Sequence, residues 1–210
     1  ISDGKLYEAN DMVKADCGGC NGCSRCCHGM GNSIILDPYD VYRMTTGMGK
    51  SMQELLAASV ELNVVDGVIL PNLKMQGTKE ACAYLDEEGR CSIHPYRPGI
   101  CRLFPLGRYY ENGGFSYFLQ TGECAKENRS KIKVSKWIDT PDLTRNQQFT
   151  LQWHDLLHAM EERLTGEDEG KQREENLLLL RLFYLLPYKG TTDFYSQFME
   201  RMEYWNEQIR

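Results

Sequence analysis

The stretch Cys17-Gly-Gly-Cys20-Asn-Gly-Cys23-Ser-Arg-Cys26-Cys27-His28 constrains this chain more than any other. Five of the nine cysteines fall within these eleven positions up to Cys27, and no apolar periodicity runs through them. Packing therefore does not explain them. Gly18, Gly19 and Gly22 let the backbone curl tightly and turn its N–H groups inward, as a loop must if several thiolates are to converge. Disulfides fit poorly, because dense C-x-x-C pairs and an adjacent Cys-Cys are hard to bridge without strain, and nine is odd. Runs of C-x-x-C outside a secretory context point to metal or redox chemistry.

Nine thiols allow two four-ligand sites with one left over. The loop offers two registers. Cys17-x2-Cys20-x2-Cys23-x3-Cys27 has the spacing of the bacterial ferredoxin run, with His28 where that run has proline. The other register is Cys20-x2-Cys23-x2-Cys26-Cys27, with Cys17 spare. Adjacent side chains in an extended backbone point opposite ways, so Cys26 and Cys27 are expected to serve different metals or different edges of one cluster. Cys82, Cys91, Cys101 and Cys124 are each weak signals, since a lone cysteine is usually a small buried hydrophobe. As a set they gain weight, because each sits beside a turn or hairpin end. A structural zinc takes four ligands in a closed tetrahedron, whereas three thiolates crowded by C-x2-C-x2-C suit several corners of one cluster. An iron–sulfur cluster is the favoured cofactor and zinc the alternative.

Cys20-Asn-Gly-Cys23-Ser-Arg-Cys26-Cys27, then Cys82-x-x-Leu85 to Gly89-Arg-Cys91-x-Ile-His94, then Arg97-Pro-x-x-Cys101-Arg-x-Phe-Pro105, resembles the YkgJ-like cysteine-cluster family. That family is described as a zinc- or iron-chelating domain, often labelled an Fe–S-cluster protein, and is linked to the flagellin lysine N-methylases. The resemblance spans roughly residues 17–124. It implies eight metal ligands, Cys20, Cys23, Cys26, Cys27, Cys82, Cys91, Cys101 and Cys124, with Cys17 an addition to the pattern. It names a site more firmly than a job.

Around these motifs the chain reads as α+β: a small cysteine-rich metal-binding core of short hairpins and helices, with a helical C-terminal part packed on it. Residues 1–16 read as a short helix or loose lead-in, and Asn32–Leu36 as a short strand. Asp37-Pro38 gives an N-cap and a first-turn proline for a helix ending near Gly47. Ser51 and Glu54 form a capping box for a second helix to about Ser59. Asp66-Gly67 is a hairpin turn between Val64 and Leu70. Ala81–Leu85 and Arg90–His94 read as a hairpin holding Cys82 and Cys91 on neighbouring strands, and Arg97–Pro105 as a proline-bracketed loop. Gly107–Tyr110 and Phe115–Gln120 form another hairpin, and Lys131–Lys136 alternates like a half-buried strand. Helices are expected near 147–164, 170–186 and 191–207, the middle one apolar nearly all round from Asn176 through Leu186 and so buried or covered by a partner. The expected division is 1–145 for the cysteine-cluster region and 146–210 for the helical region, together one compact unit.

A net charge of −6 and a pI near 5.3 argue against a general nucleic-acid binder. No apolar run is long enough to span a membrane, and no secretory signal is visible, although numbering starts at Ile1. Clustered cysteine reads as a reducing cytoplasm. No Gly-rich phosphate loop, nucleophile elbow, H-E-x-x-H, radical-SAM spacing or S-adenosylmethionine loop is present. Whether the protein is an enzyme stays open.

His28 and His94 adjoin candidate ligands. His154 and His158 lie one helical turn apart without a third ligand nearby, which suits ordinary core or surface histidines. Arg97, Arg102 and Arg108 bracket Cys101 and either offset thiolate charge or pin loops through acidic partners. Three functions follow. The leading one is a redox or electron-transfer protein with an Fe–S centre. The others are a zinc-stabilised module whose C-terminal helices bind a protein partner, and, by resemblance only, a protein-lysine methylase-like enzyme.

Overall fold

Residues 12–16 carry a strand's alternation, Val13 and Ala15 inward and Lys14 outward. The computed structural model describes residues 2–18, 23–126 and 128–209. In it the N-terminal stretch is β1 (Ser2–Tyr7) and β2 (Met12–Asp16), not the helix or loose lead-in expected. Their partners lie far along the chain, Tyr7 opposite Tyr117 and Val13 opposite Ile132, so no local window reveals the pairing.

The next elements follow their caps. Asp37 and Asp40 form a reciprocal capping box that opens α1 (Pro38–Met48), which closes on Gly49 in the left-handed region at φ 64°. The Ser51–Glu54 box opens α2 (Met52–Ala58). The hairpin of β3 (Val60–Val65) and β4 (Val68–Leu73) turns on Asp66-Gly67, whose φ values of 50° and 81° are what a two-residue turn of this twist requires. The strand expected over Asn32–Leu36 reduces to one bridge, Ile35 with Asn72.

The middle of the chain departs most from expectation. β5 (Met75–Gln76) pairs with β6 (Ala81–Cys82), so Cys82 and Cys91 are not on paired strands. Between the expected strands only Leu85 and Cys91 bridge. Asp86 explains this: its Oδ1 accepts the N–H groups of Glu88 and Arg90 at 3.0 and 2.7 Å and closes the loop before a ladder can extend. The Arg97–Pro105 stretch contains a short helix, α3 (Gly99–Leu103), where a loop was expected. β7 (Leu106–Glu111) and β8 (Gly114–Gln120) form the expected hairpin, with β1 added on the other side of β8. β9 (Ser130–Lys133) pairs with β2 and gives way to α4 (Val134–Ile138), so the strand stops short of Lys136.

Three helices then follow near the expected places: α5 (Leu143–Leu164), α6 (Glu169–Leu179), extended by a π-helical segment Leu180–Leu185, and α7 (Phe194–Gln208). The fold is α+β, with the C-terminal helices packed. Leu179, Leu180, Leu182, Phe183 and Tyr184 are buried as expected for an all-round apolar segment. Asn176 pins this helix to the β3–β4 turn, accepting from Ile69 N–H at 2.6 Å and donating to the Gly67 carbonyl at 3.2 Å. The larger core joins Leu36, α1, α2 and β4 to α5, α6 and α7, so it draws on both sides of residue 146. A smaller core lies between β2, β7, β8 and α4. Each large apolar side chain so buried contributes about 1.5–3 kcal/mol. Cys82, Cys91 and Cys101 pack at the rim of the larger core. Among the described residues no helix is long and apolar enough to cross a membrane.

Candidate metal centre

Cys82 and Cys91 begin matching turns. Leu85 N–H donates to the Cys82 carbonyl at 2.9 Å and His94 N–H to the Cys91 carbonyl at 3.2 Å. In each turn the sulfur accepts the backbone N–H two residues on, from Tyr84 and from Ile93. Such N–H donors favour a thiolate. The Leu85–Cys91 bridge and a 2.9 Å bond from Ser92 N–H to the Tyr84 carbonyl hold the two turns together. The cysteine loop is stitched to the same place: His28 bridges Ala81, and Gly29 N–H donates to the Glu80 carbonyl at 2.9 Å. Cys101 arrives from the other side on α3.

Five thiols thus act on one another: Cys26, Cys27, Cys82, Cys91 and Cys101. Burial pushes the Cys82, Cys91 and Cys101 thiols up, and neighbouring thiolate charge adds to this. Cys27 donates its S–H to Cys26. That bond, helped by a backbone N–H and the charges of Arg97 and His28, pulls Cys26 down to about 7 against the effect of burial. Cys27 moves up correspondingly. Here the extended backbone assumed for this pair is corrected: Arg25–Cys27 is a short 3-10 turn in which Cys27 donates to Cys26.

The other candidate ligands divide. Cys20 lies outside the described residues, and Cys17 follows β2 on the far side of the undescribed 19–22. Cys23 and Cys124 are half-buried free thiols. His28 Nδ1 lies 2.9 Å from the Ser24 carbonyl oxygen. His94 is capped by Arg97, whose Nη1 donates to its carbonyl at 3.1 Å, and burial together with Arg97 holds its ring below the usual value. His154 stacks on Tyr110 with ring centroids 3.8 Å apart, and His158 is exposed beside Glu161 and Glu162.

The three arginines have different jobs. Arg97 acts on Cys26 and Cys91, where its charge offsets thiolate. Arg102 and Arg108 instead oppose Asp37 and Asp40. This buried acidic pair is the part of the site that the sequence reading missed. Burial, then mutual repulsion, pushes Asp37 up to about 7, and burial moves Asp40 in the same direction. The signal was present, because Asp37-Pro38 reads as a cap, but nothing local shows that the cap abuts Cys101.

Among the described residues no three ligand side chains close on a single point as they stand. The donor set nevertheless fits a thiophilic metal: five sulfurs, N–H···S bonds at three of them, and a guanidinium nearby. The CxxCxxCC family model, described as "Putative zinc- or iron-chelating domain", matches residues 19–134. No curated protein and no solved structure matches the chain. With more than half of its length covered by that model, and the grouped thiols all inside the match, the chain belongs to the CxxCxxCC family.

Proposed function

We propose that the protein holds an iron–sulfur centre on its grouped cysteines and serves in electron transfer. The observation carrying this reading is the crowding of five mutually acting thiols, with Cys26 and Cys27 adjacent in one short turn, which suits the several corners of one cluster better than a single tetrahedral ion. Loading such a centre releases thiol protons, and Cys26, already lowered, gives one up most readily. The remaining thiols are held protonated by burial until a cation replaces the proton. When bound, the cluster supplies a one-electron couple. Arg97 and the N–H donors at Cys82 and Cys91 stabilise the negative sulfurs around it. All five thiols are half-buried, so the centre sits near the surface, where a redox partner can approach.

Protein purified without oxygen is expected to be brown and to carry about four or more irons per chain, with matching acid-labile sulfide. Colourless protein with stoichiometric zinc would replace this reading with the second one, a zinc-stabilised interaction module. That alternative draws on exposed apolar positions of the C-terminal helices, Leu177, Met199 and Tyr204, which a protein partner would cover.

A further inference from the structure

One face of α1 carries Asp40, Arg43 and Gly47, spaced i, i+3 and i+7. All three meet the segment that runs from Cys91 to Cys101. Arg43 Nη2 donates to the Pro95 carbonyl. Gly47 leaves room for the Tyr96 ring, since a β-carbon there would fall 2.3 Å from Tyr96 Cδ1. Asp40 Oδ1 accepts the Gly99 N–H at 2.7 Å, while its Oδ2 accepts the Asp37 N–H at 3.2 Å.

Gly99 is the first residue of α3, and the first N–H groups of a helix have no partner within it. Pro98, at the cap position, has no side-chain acceptor to offer. Asp40 supplies that cap from another helix. It is 2 % exposed, and Arg102 of α3 is 4 % exposed. The Arg102 guanidinium sits 5.8 Å from the Tyr39 ring centre and donates to Thr140 Oγ1 at 2.8 Å. The bond to Gly99 therefore has a fixed direction and no water to compete with it.

We propose that Asp40 is a positioning residue for the metal centre: by capping α3 through Gly99 it sets where the Cys101 sulfur stands relative to Cys26, Cys82 and Cys91. Arg43 and Gly47 seat the preceding turn on the same helix face. The proposal rests on the reading of Cys101 as a ligand. Groups that orient a ligand rather than touch the metal typically change metal affinity about 10–100-fold when removed.

The test follows metal release from the full, metal-loaded chain into excess colorimetric chelator that takes either zinc or iron. Asp40→Ala is expected to release metal about 10–100 times faster than wild type. Asp40→Asn keeps an oxygen for the Gly99 N–H and should recover most of the loss. Gly47→Ala makes α1 intrinsically a better helix, yet it displaces Tyr96 and should also speed release, which a purely stabilising role for α1 would not do. Wild-type release from both Asp40→Ala and Gly47→Ala, with Cys101→Ala losing its metal, would overturn the proposal. If Asp40→Ala fails to fold, wild-type release from Gly47→Ala overturns it alone. Full metal content and wild-type release in Cys101→Ala would instead remove the ligand reading, and the proposal with it.

Discussion

Cys91→Ala is expected to lose most of its bound metal and to become less stable and less soluble at the same time. The Cys91 sulfur acts on Cys26 and Cys82, accepts the Ile93 N–H and lies beside Arg97, so on the proposed reading alanine would remove a ligand and leave those neighbours unanswered. A structural metal contributes to folding directly, about 10–16 kcal/mol for small zinc domains, and one of four ligands carries on the order of a quarter of that. Cys82→Ala, at the start of the matching turn, should behave the same way. Metal analysis and a thermal melt on both variants check this. Wild-type metal with a lowered melt would mean that these cysteines are packing residues. Cys17 lies outside the family pattern given above, and if the register Cys20-x2-Cys23-x2-Cys26-Cys27 holds the metal, Cys17→Ala should keep its metal near the wild-type level.

The second large effect lies far from the thiols. Arg201 on α7 is buried, and among the described residues it forms no ion pair. Its Nη1 donates to the carbonyls of Leu182 and Leu186 at 2.8 and 3.1 Å, and its Nη2 to that of Pro187 at 3.0 Å. The guanidinium also stacks on Tyr188, 3.5 Å from the ring centre. Those carbonyls belong to the end of the π-helical segment, where orphan acceptors and the negative end of the helix dipole meet. One cation thus answers three acceptors, one buried and two partly so. Arg201→Ala leaves these carbonyls unpaired and opens a cavity, which is expected to cost at least about 1–3 kcal/mol, the penalty of a buried acceptor left unsatisfied. Arg201→Lys should recover only part of this, because one ammonium cannot match the planar fork. Denaturant unfolding of both variants measures it, and a loss below about 1 kcal/mol for the alanine variant would contradict the role.

Where short-range chemistry decides a structure, the sequence was readable. Asp37-Pro38 and Ser51–Glu54 named the starts of α1 and α2, and Asp66-Gly67 named its hairpin. Where a partner far along the chain decides, it was not. β1 and β2 exist because β8 and β9 pair with them. α3 has five residues bracketed by prolines and depends on Asp40, fifty-nine positions earlier, for its first bond. The site divides the same way. Spacing singled out the cysteines as a set. Which of them meet depends on the 3-10 turn at Arg25–Cys27 and the bridge from His28 to Ala81, neither of which a C-x-x-C pattern encodes.

The most direct measurement is X-ray absorption at the metal edge of protein purified without oxygen. A centre held by the grouped cysteines should show a first shell made of sulfur alone, at about 2.3 Å. A first shell dominated by nitrogen or oxygen at about 2.0–2.1 Å would contradict it.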